Sequence, residues 1–469
     1  MQNGVKSMNS IMMAFGWASL ALAAGVFLRA KLKVLQNMLV PAAVIAGLIG
    51  VAFMNLVDLR GIPVGCISED FTKIVNQLFV VSFISITLMD RDPSEEQKVD
   101  KKHAGVLKGA LAIGLIWCLL FTLTPLIAGL IDMAFGDTFR MSPVYGMLIQ
   151  FAFAMGPGQS VTYGTIVEGY GWQNAVMVAL TFSAFGFLVA YLIGIPAAKY
   201  GIKNGLTKYS DKIDEKVLRG YLKPEEQTHM MKKDTTVNSN IESMAFHFAM
   251  IGICYLIAVV FSKLFGLLPG YVGTSLKSLM FLNGLYAAYL VKFIMKKIGV
   301  WYFMDNDMQS KITGWSADYL VVCSFMAVSL KLVSQWMVPI VVIVIVCAVV
   351  TFVICFYLGR RIGTNCDYEV ILGLYGMATG TAPSGISLIR IADPGFKTIA
   401  SLALGASNPV CNICNIPTYL LILGFAAGQF SLKMTLLGLL GLSIALAAAL
   451  KLTRCWGKPS FPLHLKGEK

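Results

Sequence analysis

The sequence has few charged residues and few histidines. Only 13% of its 469 residues are Asp, Glu, Lys or Arg, whereas 57% are hydrophobic. A soluble domain carries about 25% charge, so this deficit places most of the chain in lipid. Of the four histidines, His247 alone lies within an apolar run, where it has no ligand-like neighbour. With no Ser/His pattern, no paired carboxylates at membrane depth and no GxxxxGK[ST] phosphate loop, the sequence indicates neither an enzyme nor an ATP-driven pump.

Basic residues give the chain a formal charge of +13, but they do not form the basic face that a nucleic-acid partner needs. They fall in the gaps between apolar runs, as in the cytoplasmic loops of membrane proteins. The ten cysteines predict no disulfide framework. Cys411-x-x-Cys414 has redox-motif spacing but no second pair and no strand–helix context. We expect no nucleic-acid partner, and cysteines that pack as small apolar side chains.

Eleven apolar stretches are long enough to cross a membrane. The N-terminus lacks a short apolar core with a cleavage site, so the first stretch is predicted to be a retained span. The fold class predicted is therefore an all-α integral membrane protein with about 11 transmembrane helices. The stretches lie near residues 10–28, 38–57, 74–89, 104–131, 173–198, 241–266, 272–296, 315–333, 336–358, 395–427 and 430–451.

Two polar, glycine-rich segments interrupt the apolar pattern, one in each half of the chain. They read FAFAMGPGQSVT at 151–162 and GLYGMATGTAPSG at 373–385. Lipid cannot satisfy free backbone groups, so non-helical backbone persists at membrane depth only beside protein or a water-filled cavity. We interpret 143–170 and 368–392 as re-entrant hairpins, with packed helix kinks as the alternative. Two such breaks at corresponding places indicate the binding site of a secondary transporter.

The basic residues between the spans predict an outside N-terminus and an inside C-terminus, if each hairpin returns to the side it entered. The first five spans then have the opposite orientation to the next five, which predicts two inverted repeats. Residues 78–88 and 320–330 share five of eleven positions, which supports the repeat. The domains predicted are a first repeat at 1–200, a cytoplasmic linker at 201–240, a second repeat at 241–427, and an extra span with a tail at 428–469.

Glycine, hydroxyl and amide groups in the interrupted segments predict where a ligand binds. Glycine lets the backbone approach a ligand, and the half-helix beyond each tip presents free N–H groups and a positive dipole end to a carboxylate. Hydroxyl and carbonyl oxygens suit Na⁺, a hard cation. The predicted substrate ligands are Gly156, Gly158, Gln159, Ser160, Gly380, Thr381, Ser384, Arg390, Asn412 and Asn415. The predicted Na⁺ ligands are Thr162, Thr379 and Asn408.

Two of these predictions have open alternatives. Arg390 either clamps a substrate carboxylate, or extends to the cytoplasmic face or pairs with Asp393. Asn408, Asn412 and Asn415 are spaced to share one helix face, where they bind a substrate or ion, or bond to another helix.

At these segments the chain resembles the bacterial sodium/glutamate symporter family. The clearest match is Gly373-x-x-Gly376-x-x-x-Gly380-x-x-Pro383, and the residues at 168–175, 184–188 and 194–199 look like the pattern that follows the family's first hairpin. Residues 412–415 read NICN where family members have Asp-x-x-Asn. The sequence departs from the family at the first hairpin, which reads MGPGQS rather than Gly-Gly-His-Gly-Thr, and at Arg390.

The resemblance implies Na⁺-driven symport of glutamate or a related acidic amino acid, with Na⁺ as coupling ion and no other cofactor. It also implies a homodimer with a scaffold and a mobile transport unit, in the bacterial cytoplasmic membrane. The alternatives are a passive channel, a transporter of another small solute with H⁺ coupling, and a non-transporting receptor or anchor that works through 199–240.

Overall fold

The computed structural model describes residues 2–37, 39–89, 103–209, 219, 242–269, 273 and 276–462. Every regular element among these residues is a helix. Most of the predicted linker at 201–240 lies outside the described residues.

Twenty α-helices follow one another along the described part of the chain. The first ten are α1 (Gln2–Lys31), α2 (Lys33–Asn37), α3 (Ala42–Leu59), α4 (Ser68–Thr87), α5 (His103–Phe139), α6 (Pro143–Met147), α7 (Ile149–Phe153), α8 (Pro157–Gly169), α9 (Ala175–Lys203) and α10 (Ser243–Phe265). The others are α11 (Met280–Lys297), α12 (Asn306–Ala327), α13 (Leu330–Val333), α14 (Met337–Gly359), α15 (Asp367–Thr379), α16 (Ala382–Ala392), α17 (Ala400–Ala406), α18 (Asn408–Cys414), α19 (Ile416–Ala426) and α20 (Leu432–Leu452).

Among the described helices, seven are long and apolar enough to cross a membrane, or eight if a bent pair counts as one span. The seven are Asn9–Lys31, Ala42–Leu59, Gly105–Phe139, Ala175–Lys203, Ser243–Phe265, Leu330–Gly359 and Leu432–Leu452. The three remaining predicted spans coincide with the less apolar helices α4, α11 and α12. The prediction of an all-α integral membrane protein is confirmed, and its membrane spans are helical because lipid offers the backbone no other hydrogen-bond partners.

The predicted span at 395–427 is not one straight helix. Ala400–Cys414 and Ile416–Ala426 meet at an angle of 48° around Asn415. Pro417 lies in the first turn of α19, where it lacks the N–H that would continue the hydrogen-bond ladder of the preceding helix. Proline therefore breaks this span at an asparagine, and leaves the asparagine at the bend.

The described chain forms two compact units. Unit 1 comprises Met1–Leu28, Pro41–Glu96 and Leu222–Ser329. Unit 2 comprises Arg29–Val40, Gln97–Tyr221 and Leu330–Lys469. Each predicted repeat contributes its first three spans to unit 1, and its last two spans with its glycine-rich segment to unit 2. The inverted relation of the repeats stays a prediction.

Unit 1 is held together by close packing and by buried polar contacts. The Nδ2 of Asn55 donates to the carbonyl of Val328 at 2.9 Å, and the hydroxyl of Ser85 donates to the carbonyl of Gln309 at 2.9 Å. The Nε2 of His247 accepts the N–H of Asp305 at 2.9 Å, and its other ring nitrogen contacts the carbonyl of Ser243. This histidine therefore has structural partners on both sides of its ring.

Candidate functional site

The first glycine-rich segment is a helix, a break and a second helix that folds back. Helix α7 ends at Phe153, and α8 begins at Pro157. Gly156 between them has φ of 81°, a conformation that L side chains rarely adopt. The rings of Phe151 and Tyr163 stack with centroids 3.9 Å apart, which holds α7 against α8.

The second segment has the same arrangement. Helix α15 ends at Thr379, and α16 begins at Ala382. A Cβ added to Gly376 would lie 2.7 Å from the Cα of Gly385, so α15 and α16 are in backbone contact. The motif residues Gly373 and Gly376 therefore serve helix packing, because a side chain at either would overlap α16.

The two breaks meet in unit 2. A Cβ added at Gly156 would overlap the Cγ2 of Thr381, and it would lie 3.6 Å from the carbonyl oxygen of Gly380. Gly186 of α9 lies beside both breaks, since a Cβ there would come 2.7 Å from the carbonyl oxygen of Thr379 and 3.4 Å from the Cα of Phe153. Glycine at both positions lets three backbone segments converge.

Opposite partial charges lie side by side at this junction. The first N–H groups of a helix and its last carbonyls have no partner within the helix. The N-termini of α8 and α16 both begin at the breaks, at Pro157 and Ala382. The C-termini of α7 and α15 end there as well. The N-termini favour an anion and the free carbonyls at the C-termini favour a cation.

The predicted hydroxyl ligands donate mostly to their own helices. The hydroxyls of Ser160 and Thr162 donate to the carbonyls of Gly156 and Gly158, each at 2.9 Å. Thr379 donates to the carbonyl of Tyr375 at 2.7 Å, and the hydroxyls of Thr381 and Ser384 lie 3.4 Å apart. These hydroxyl protons are already used in hydrogen bonds, so the oxygen lone pairs remain available to bind a cation.

Asn415 is the asparagine that the fold buries. It is fully buried at the bend between α18 and α19, and neither atom of its amide makes a hydrogen bond of normal geometry within the described residues. One turn further on, the hydroxyl of Tyr419 donates to the Sδ of Met155 beside the first break, at 3.6 Å. The Oε1 of Gln159 in the first turn of α8 is also buried without a partner there. A buried amide without partners is costly, so these groups are suited to a polar ligand.

Three predicted site residues are not brought together with the junction. Arg390 is exposed in the last turn of α16, about 13 Å along the helix axis from Thr381. Its guanidinium lies 5.2 Å from the centroid of the Phe396 ring, and the Asp393 carboxylate instead accepts two backbone N–H groups. Asn408 and Asn412 are exposed, whereas Asn415 at the end of the same helix is buried.

Sequence reasoning missed three further residues of unit 2. The first is Gly186, which lies in α9 in a row with Gly194 and Gly201. All three glycines pack against α15, α16 or the break between them, and their spacing is the sequence feature that could have indicated this. Gln150 of α7 is fully buried, and its amide has no partner in the described chain. Asp132 near the end of α5 is 2% exposed with both oxygens unpartnered, against the backbone of Gly146. An acid within an apolar run was the available signal.

Comparison with known proteins gives one family. A sequence model of the sodium/glutamate symporter family matches residues 8–392. The sodium/glutamate symporters of Escherichia coli (strain K12) and Shigella flexneri are each 22% identical over 260 residues, which is 55% of this chain and 61% of those relatives. The match thus spans less than two thirds of their length. A solved sodium proton antiporter from Methanocaldococcus jannaschii aligns with 95% of this chain and 99% of its own, at 16% identity and a TM-score of 0.35, too low to establish a shared fold.

Proposed function

The chain belongs to the sodium/glutamate symporter family, and from this premise we propose that it is an ion-coupled secondary transporter. Its substrate is glutamate or a related acidic amino acid, carried inward with Na⁺ by alternating access. We place it in the bacterial cytoplasmic membrane as a homodimer.

The observation that carries the proposal is the contact between the two breaks at Gly156 and Thr381. It brings two helix N-termini and two helix C-termini to one place in unit 2. An amino acid substrate with a Na⁺ ion needs adjacent sites for an anion and a cation, and these helix ends supply both without charged side chains.

Each group at the junction has a role in this proposal. The free N–H groups of Gly158, Gln159 and Ser384 bind a substrate carboxylate, and the amide of Asn415 orients the substrate. The oxygens of Thr379 and Gly380 bind Na⁺. Gln159 and Asn415 are suited to these roles because substrate would supply the partners that their buried side-chain atoms lack.

Unit 2 is the transport unit in this proposal, because both breaks belong to it. Binding of substrate and Na⁺ together would neutralise the helix ends and allow unit 2 to move with its cargo.

Uptake into proteoliposomes tests the proposal. Labelled glutamate should accumulate above equilibrium with an inward Na⁺ gradient and should not do so with K⁺ in its place. Accumulation excludes a passive channel. If folded protein takes up no glutamate and no other acidic amino acid under any gradient, the proposal fails.

H⁺ coupling is the second candidate, and Asp132 is the observation that favours it. A carboxylate buried without a partner is unfavourable when ionised, so Asp132 is suited to carry a proton. Uptake driven by a pH gradient without Na⁺, and lost in Asp132→Asn, would replace Na⁺ coupling by H⁺ coupling.

A further inference from the structure

A second candidate site lies in unit 2, at a pocket of about 240 Å³ away from the breaks. This is room for a phosphate group with a small organic part. Four segments supply its walls: the start of α5, the residues that follow α9, the turn before α15 and the turn after α16. Its lining residues are Gly105, Lys208, Tyr209, Gly363, Thr364, Asn365, Cys366, Lys397, Thr398 and Ile399.

The walls are fixed by three buried carboxylates, which accept hydrogen bonds from the backbone of the lining residues. Asp367 accepts the N–H of Thr364 at 2.7 Å, and Glu369 accepts the N–H of Lys208 at 2.6 Å. Asp393 accepts the N–H groups of Lys397 and Thr398 at 2.9 and 2.7 Å. The pocket is therefore built in advance of any ligand, since its turns are tied to groups in the protein interior.

The same hydrogen bonds leave the lysine side chains available. The ammonium groups of Lys208 and Lys397 lie 5.7 and 5.9 Å from the centroid of the Tyr209 ring, one ring shared by two cations. The Nζ of Lys108 would lie 3.1 Å from a Cβ added at Gly363, so a third ammonium reaches the rim. Within the described residues, none of these ammonium groups has a carboxylate oxygen within 4 Å.

We propose that this pocket binds a phosphate-bearing anion. Three ammonium groups surround a small cavity, and none has a carboxylate oxygen within 4 Å among the described residues, so they suit a ligand with more than one negative charge. Lys binds phosphate as a point charge. Of the two threonines in the lining, Thr364 donates its hydroxyl proton to Asp367, whereas the Thr398 hydroxyl only accepts, from the N–H of Ala400, and so keeps its proton. Because Asn365 precedes α15 and Lys397 follows α16, the ligand bridges both ends of the helix pair whose tip forms the second break. It therefore stabilises the base of that pair.

The phosphate has two possible sources, a free phosphorylated compound or an anionic lipid headgroup. The predicted topology places all four wall segments on the cytoplasmic side, three from nearby basic residues and the turn after α16 because the second hairpin returns to the side it entered. Lysines there attract anionic lipid as readily as soluble polyanions. The same chemistry serves both sources, so the test has one arm for each.

The test uses the full-length protein with pyrophosphate as the soluble probe, and nanodiscs of phosphatidylglycerol or phosphatidylcholine as the lipid probes. Thermal unfolding is followed by tryptophan fluorescence at constant ionic strength. The variant is Lys208→Gln with Lys397→Gln. The control, Lys33→Gln with Lys451→Gln, removes the same charge from exposed lysines of unit 2 that do not line the pocket.

We expect pyrophosphate or phosphatidylglycerol to raise the Tm of the wild type and of the control. In the pocket variant the affinity should fall about tenfold for each lysine lost. A response to pyrophosphate identifies a free ligand, and a response confined to phosphatidylglycerol identifies a lipid. The proposal is overturned if both probes stabilise the pocket variant as much as the control, or if neither stabilises the wild type. Equal Tm values of the two variants without ligand show that each is folded.

Discussion

Gly156 and Thr381 are in contact although 225 positions separate them in the sequence. The contact joins two helix breaks that the chain forms independently, each from glycine and proline. It also brings the positive ends of α8 and α16 together, which neither segment achieves alone. The candidate site therefore depends on this contact.

Gly156→Ala should abolish glutamate uptake. The added Cβ would overlap the Cγ2 of Thr381, and alanine is strained at a φ of 81°. We expect a loss of about 1–3 kcal/mol in the free energy of unfolding, measured by thermal denaturation beside uptake. Adding Thr381→Ser removes the Cγ2 and should restore part of the stability. Gly169→Ala at the other end of α8 has open space and is the control; equal effects at both glycines would contradict the contact.

Gly376→Ala should reduce the amount of folded protein and not only the uptake activity. The nearest atoms to its added Cβ are backbone atoms of Gly385 and Ser384, which cannot rotate away. Overpacking of this kind costs about 1–3 kcal/mol, and we expect less folded protein by size-exclusion chromatography. Gly405→Ala meets nothing within 4 Å and should stabilise α17 slightly. Normal yield and normal Tm for Gly376→Ala would show that α15 and α16 are further apart than described.

Asn415→Leu should abolish uptake while raising the Tm. The native amide is fully buried without a normal hydrogen bond, so an apolar side chain of similar size removes a cost of about 1 kcal/mol or more. Asn55→Leu is the contrast, because Asn55 donates to two carbonyls and its loss leaves the carbonyl of Val328 unpaired. That variant should lower the Tm. A lower Tm for Asn415→Leu would mean that Asn415 is a structural residue.

Arg390→Gln decides between the two interpretations of this arginine. Its guanidinium lies over the Phe396 ring and about 13 Å from the second break, so we expect the KM for glutamate to change less than twofold. A clamp on a substrate carboxylate would be worth about 1.5–3 kcal/mol, and its loss would raise KM more than tenfold. Such a rise, measured with folded protein, would return Arg390 to the substrate site.

Labelling of the Cys66 thiol tests the predicted topology. It lies in the loop between α3 and α4, and burial, followed by the charge of Asp70, raises the pKa of its thiol to about 11. Only the thiolate reacts, so labelling by a membrane-impermeant maleimide should be slow at neutral pH and should accelerate about tenfold per pH unit below pH 10. Asp70→Asn should lower the pKa and speed labelling at a fixed pH.

The topology with an outside N-terminus puts this loop outside, so intact cells should be labelled. Cys66→Ser should remove that signal. Labelling that requires permeabilised cells would show that the loop faces the cytoplasm.

The sequence by itself determined the helical membrane fold and the positions of both breaks. These are local properties, because twenty apolar residues in lipid must form a helix, and glycine close to proline interrupts a helix at each break. The family was also visible in the order and spacing of Gly373, Gly376, Gly380 and Pro383. The sequence did not show which segments the two breaks would contact.

Only the tertiary structure decided which polar groups are left without partners. Asn408, Asn412 and Asn415 are equivalent by spacing, yet only Asn415 is buried. The lysines around Tyr209 come from distant segments, as do Gly156, Gly186 and Thr381 at the junction. Such groupings arise when distant segments pack, and close packing depends on the shape of both surfaces. Hydropathy and spacing describe one segment at a time, so they do not contain that information.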